Sequence, residues 1–123
     1  MKKPTEIDLG FRTDFDKLWS LELPVENIEI RSLSNNFDIP YLEREGTDDW
    51  NLSINQLLGN FDNEITHAEK VRKADLAYPI DITNFNGQWI ILDGVHRLAK
   101  AISQGDKRIK VRRVPFEIVP SAR

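Results

Sequence analysis

The chain has 123 residues, enough for one domain with a single buried core. The absence of cysteine excludes disulfides, cysteine-ligated zinc and any chemistry that needs a thiolate. The net charge of −3 is split unevenly: residues 1–65 carry 6 Lys/Arg and 14 Asp/Glu, residues 66–123 carry 11 and 6, so the second half offers a basic face to the acidic first half or to an anionic partner.

Lys2 and Lys3 are followed by no apolar run, so the N-terminus does not read as a signal peptide. No stretch approaches the ~20 apolar residues of a membrane span, and a cytoplasmic location is expected. Residues 1–13 read as a polar arm. Asp14 is placed to cap a short helix through Leu18 and Trp19, with Phe15 on its apolar side, and Leu21-Glu22-Leu23-Pro24 ends it. Val25, Ile28 and Ile30 give a strand with Glu26 and Glu29 partly exposed. Ser32, Ser34, Asn35 and Asn36 mark a loop.

Residues 37–63 show no clean period, yet Phe37, Ile39, Tyr41, Leu42 and Trp50 are too apolar for a linker. Residues 35–63 are expected to be an insertion packed over one side of a core formed by 25–34 and 64–119, with Phe37 and Trp50 as core residues or, alternatively, as part of a lid over a ligand pocket. Within it Thr47-Asp48-Asp49 reads as a turn. Ser53 reads as the cap of a short helix carrying Ile54, Leu57 and Leu58, stopped by Gly59-Asn60. Asp62 or Asn63 is expected to cap a helix from Glu64 to Ala74 with Ile65, Ala68 and Val71 inward and Arg72 and Leu76 as further inward candidates. His67 lies in that helix as a structural histidine, and Glu69 and Lys73 form a helix-supporting i, i+4 pair.

Pro79 opens a strand in which Ile80 and Ile82 alternate with Asp81 and Thr83, predicting one buried face. Asn84-Phe85-Asn86-Gly87 is a hairpin loop, and Gln88 to Leu92 returns antiparallel. Trp89 sits in this apolar arm and is expected in the core or in a pocket wall. Asp93-Gly94 then switches the period from strand to helix. Val95, Leu98, Ala99 and Ile102 form one apolar face of a helix over 95–103, which Gln104-Gly105-Asp106 stops. In the last strand, from Arg108 to Val114, Ile109 and Val111 point one way and Arg108, Lys110 and Arg112 the other, before Pro115 interrupts. Phe116, Ile118 and Val119 could add an edge strand.

The Asp93–Arg97 turn carries the chemistry. A helix start presents unpaired N–H groups and partial positive charge, and His96 and Arg97 are cationic types placed against that charge. A bound anion would explain them. The bland alternative is that Asp93 is an ordinary N-cap, Gly94 an ordinary turn glycine, and His96 and Arg97 an exposed helix face.

The run YPIDI, NGQWIILDGVHRLAKA and GDKRIKVRRV, with Asp-Gly-x-His-Arg as its specific part, resembles the ParB/sulfiredoxin superfamily over roughly a third of the chain. Residues 25–30 look like the strand that opens such a domain. The resemblance implies an α+β fold, a single ParB/sulfiredoxin-like domain with a small mixed sheet and helices packed on it. It implies binding of a nucleotide such as ATP, ADP or CTP, with magnesium, through Gly94, Val95, His96 and Arg97. Asp93 and His96 are then the catalytic candidates. Val95 stands where sulfiredoxins carry their reactive cysteine, so that chemistry is excluded. The chain also ends too soon to hold the helix-turn-helix domain of partition proteins. The function expected is phosphate or nucleotide binding, with hydrolysis or transfer of a nucleotide phosphate as the enzymatic form. The alternative is a non-catalytic, nucleotide-switched or protein-interaction module, and a DNA-binding or nuclease domain is weaker still. Under the first reading Gly94 lets phosphate approach the main chain, the N–H groups of 95–97 donate to it, Arg97 clamps it, and His96 bonds a terminal phosphate or moves a proton. Asp93 caps the helix or holds a bridging divalent cation. Glu26, Glu29 and Asp81 are general-base candidates. No side-chain pattern with metal-ligand spacing is seen, His67 and His96 included.

Overall fold

In the computed structural model, which describes residues 3–47 and 49–122, Asn86 and Gly87 both take positive φ, 53° and 81°. That backbone suits a two-residue hairpin turn. It joins β3 (Ile80–Phe85) to β4 (Gln88–Asp93), with Phe85 opposite Gln88 and Asn84 opposite Trp89, so the expected four-residue loop shortens to two and Asn84 and Phe85 belong to the strand. The fold is α+β. Two further strands complete the larger sheet: β2 (Glu26–Glu29) pairs antiparallel with β5 (Arg108–Arg113), and β5 runs parallel to β3, giving the order β2-β5-β3-β4. A two-stranded ribbon joins β1 (Arg12–Thr13) to β6 (Ser121–Ala122).

Among the described residues four α-helices complete the fold: α1 (Phe15–Ser20), α2 (Ile54–Gly59), α3 (Ile65–Lys73) and α4 (Val95–Ser103). Asp14 caps α1 by accepting from the Lys17 N–H at 3.1 Å. Ser53 and Gln56 cap α2 reciprocally, a capping box that fixes its first turn. The central face of the sheet meets α4: Leu98, Ala99 and Ala101 pack with Ile80, Ile82, Ile91, Ile109 and Val111. Leu52, Ile54 and Leu57 are fully buried in this same cluster, so residues 35–63 supply core and not only cover. Asp48, in the expected Thr47–Asp49 turn, lies outside the described residues.

Several expectations change. Ile80, Asp81, Ile82 and Thr83 are all buried, because β3 is an interior strand covered on both faces. Ser32 to Asn36 is not an open loop but part of a 3₁₀ segment, Ile30–Asn36, with Asn36 fully buried. Its amide Nδ2 donates to the Trp89 carbonyl at 2.9 Å, and its Oδ1 accepts from the Tyr41 hydroxyl, which in turn accepts from the Ile91 N–H. These bonds satisfy the outer edge of β4, so the polar segment is what blocks further strand pairing there. Burial pushes the Tyr41 hydroxyl pKa up.

Asp62 and Asn63 form a 3₁₀ turn, and Glu64 precedes α3 without capping it; its carboxylate takes the Glu45 N–H at 2.9 Å instead. Ile65 points out, 69% exposed, while His67, Ala68 and Val71 point in. On α1 only Leu18 is buried; Phe15 and Trp19 stack tilted against each other on the surface. Phe116–Ile118 is a 3₁₀ turn, not an edge strand, and Phe116 stacks on Phe85. Arg112 leaves the basic face: at 9% exposure it is buried beneath α1.

Candidate functional site

Gly94 joins β4 to α4 at φ 106°, a left-handed conformation that side chains with a Cβ rarely adopt. A Cβ there would lie 2.5 Å from Ile80 Cγ2 and 2.9 Å from Arg97 Nη1. The missing side chain therefore admits β3 and Arg97; this face of Gly94 is not open to a ligand. No side chain caps the first turn of α4. The expected Asp93 cap is not made, because its carboxylate is turned elsewhere: Oδ2 accepts from the Trp19 indole N–H at 2.9 Å and stands 3.9 Å from Arg97 Nη1.

Arg97 is not a freely exposed cation. It is half-buried and donates to the Pro79 carbonyl at 3.2 Å. Opposite Asp93 across the hairpin lies Asp81, held by Arg112 through two bonds of 2.6 and 3.0 Å. Arg112 also donates to the Leu21 and Leu18 carbonyls, and so ties the C-terminal end of α1 to the sheet. Asp81 raises the guanidinium pKa. Two carboxylates and two guanidiniums thus alternate beside the turn, along a cleft of about 520 Å³ shared by Trp19 and Tyr78.

His96 faces α3. Its Nε2 lies 2.9 Å from Nδ1 of His67, the ring centroids are 5.2 Å apart with planes 20° from parallel, and His67 Nε2 lies 2.6 Å from the Glu43 carbonyl. Burial, the neighbouring His67 and Lys70 together push the His96 pKa down to about 4, so the ring is neutral at pH 7. This neutrality removes the conflict between a cation and the positive helix end. A carbonyl can only accept, so His67 carries a proton on Nε2 and, as a neutral ring, offers a lone pair at Nδ1. His96 must then donate from Nε2. Its single N–H is committed to His67, so in this arrangement the side chain cannot donate to a terminal phosphate.

The main cleft, about 910 Å³, opens where α3 and α4 meet and is lined by the Asp93–Arg97 turn, Thr66, Lys70, Lys73 and Tyr78. Glu69 pairs with Lys73 at 3.2 Å, whereas Lys70 makes no ion pair within 4.0 Å among the described residues, although its charge acts on the Glu45 carboxylate. No protein-family model, curated protein or solved structure matches the chain.

Of the residues expected at the site, Asp93, Gly94, Val95, His96 and Arg97 all line this cleft. Glu26 and Glu29 do not approach it. They lie on β2, separated from β4 by two strands, and contact Arg113 and Arg31. Asp81, closer, is locked to Arg112. Lys70, Trp19, Tyr78 and the His67 contact carry no sequence signal that marks them as site features; the exposure of Trp19 and Tyr78 is seen only in the structure. Arg108 donates to the Asn27 carbonyl, and Arg113 pairs with Glu26 and lies over the Trp89 ring at 5.2 Å. Much of the basic strand therefore meets the acidic first half of the chain internally. Trp89 is half-buried against the main core.

Proposed function

We propose that the chain binds a phosphate-bearing ligand, of the nucleotide class implied by its ParB/sulfiredoxin resemblance, at the Asp93–Arg97 turn. The observation that carries this reading is the uncapped start of α4, opening into a cleft that also holds Lys70 and Arg97. The N–H groups of Val95, His96 and Arg97 are the donors, and Lys70 with Arg97 supplies the positive charge. Asp93 is engaged with Trp19 and Arg97, and no group of three metal-ligating side chains occurs among the described residues. Magnesium would therefore be held chiefly by the ligand's own phosphates, with Asp93 as the nearest carboxylate.

Calorimetric titration with ATP, ADP, CTP and GTP, with and without Mg²⁺, tests the reading. Arg97→Ala should weaken binding by about 1.5–3 kcal/mol, the range for a charge-assisted hydrogen bond. Lys70→Ala should weaken it less and leave the melting temperature unchanged. Because Arg97 also bonds the Pro79 carbonyl, its variant needs a melting control. Absence of binding by wild type at millimolar ligand would refute the proposal. Release of phosphate from a bound nucleotide would separate an enzyme from a nucleotide-switched module.

A further inference from the structure

The histidine pair carries more than a structural contact. Three groups lie in a row: the Glu43 carbonyl, the His67 ring and the His96 ring, linked at 2.6 and 2.9 Å. The carbonyl has no proton to give, so with both rings neutral the direction of every bond in the row is set from that end. His67 donates to Glu43 and His96 donates to His67. One ring atom is left over, Nδ1 of His96. It makes no hydrogen bond among the described residues, yet no buried side-chain nitrogen or oxygen among them lacks a partner. Nδ1 is therefore accessible, and His96 lines the cleft. It presents a lone pair, not a proton. Such an atom repels a phosphate oxygen and attracts an O–H.

We infer that His67 holds His96 as the neutral Nε2–H tautomer, so that His96 Nδ1 accepts a hydrogen bond from a hydroxyl group of the ligand bound beside it. This deepens the phosphate reading and rests on it. The ligand class becomes a phosphate ester that also carries a hydroxyl, with its two ends read by opposite chemistry: donors at the helix start, an acceptor at His96. His67 is a positioning residue, since it contacts the ring and not the ligand. The groups that face His96 are His67 and Lys70 from α3 and, at its own turn, Asp93 and Arg97.

Two measurements test this. Long-range proton–nitrogen correlation spectra of the wild-type protein at pH 7 should show both rings in the Nε2–H form. A nitrogen–nitrogen coupling should cross the hydrogen bond from His96 to His67. A His96 ring protonated at Nδ1 would overturn the inference. Titrations with glycerol phosphate and propyl phosphate then compare one phosphate ester with and without hydroxyls. Glycerol phosphate should bind about fivefold more tightly, the effect of one net hydrogen bond, and should move the Nδ1 resonance of His96. The preference should survive in His67→Asn, which keeps an acceptor for His96, and vanish in His67→Phe. Equal affinities in wild type would overturn the hydroxyl contact while leaving phosphate binding intact. Failure of both esters to bind would sink the phosphate reading and the hydroxyl contact together, with the tautomer still decided by the spectra.

Discussion

His96 is a base whose surroundings favour its uncharged form, and the sign of its effect on stability follows. Its ordinary pKa of 6.5 falls to about 4 in the folded chain, so below pH 6.5 the unfolded chain binds more protons. The contribution is fully present above pH 6.5, declines as pH falls, and is lost once pH passes through about 4. Its full size is at most about 3.5 kcal/mol, because each tenfold loss of proton affinity on folding is worth about 1.4 kcal/mol, and water at the half-buried ring screens part of it. Urea unfolding at pH 7 and pH 4.5 should show wild type losing more stability than His96→Gln, which has no proton to take up. Equal losses would mean that the ring is not held neutral. The sequence placed His96 at the helix start and marked it as a cationic type. It could not supply the partner, because His67 lies 29 positions away and meets His96 only when α3 packs on α4.

The joint between α1 and the sheet depends on one side chain. Arg112 satisfies Asp81 and two carbonyls of the α1 end at once. Arg112→Met should destabilise the fold by about 3–5 kcal/mol, because it leaves the Asp81 carboxylate buried without its partner. Arg112→Met with Asp81→Leu should recover much of that loss, and denaturant midpoints would report both. A double variant no more stable than the single one would show that the carbonyl contacts dominate. At this scale local patterns were most legible: the hairpin, the Asp14 and Ser53 caps, and the helix over Val95–Ser103 all follow from period and turn chemistry. Alternation placed Arg112 on the right face but not in the interior, for a physical reason. Arg108, Lys110 and Arg112 share a face, but only the Arg112 end lies under α1, and a strand pattern specifies the face without saying what covers it. The same limit hid the role of Asn36 and Tyr41, whose partners are backbone groups of a distant strand edge.

Across the whole molecule the four-stranded sheet and the two-stranded ribbon are each completed by segments far apart in the chain. The hairpin β3–β4 and the following α4 are neighbours in sequence, whereas β2 meets β5 with Glu26 opposite Val111, and β1 meets β6 with Arg12 opposite Ala122. Among the described residues no helix is long and apolar enough to cross a membrane. The distant register of β2 has a consequence in time. Loop-closure entropy must be met before that strand gains any contact, so the hairpin and α4 should form the folding nucleus and β2 should dock after the main barrier. Ile28→Ala, in β2, should therefore speed unfolding while leaving the refolding rate near wild type, and Ile82→Val, in β3, should slow refolding. Stopped-flow measurements across urea concentrations give both rates; a slower refolding limb for Ile28→Ala would place β2 in the nucleus. If β2 docks late, how fast the chain folds is set by its middle, and how long it stays folded is set by a strand that arrives last.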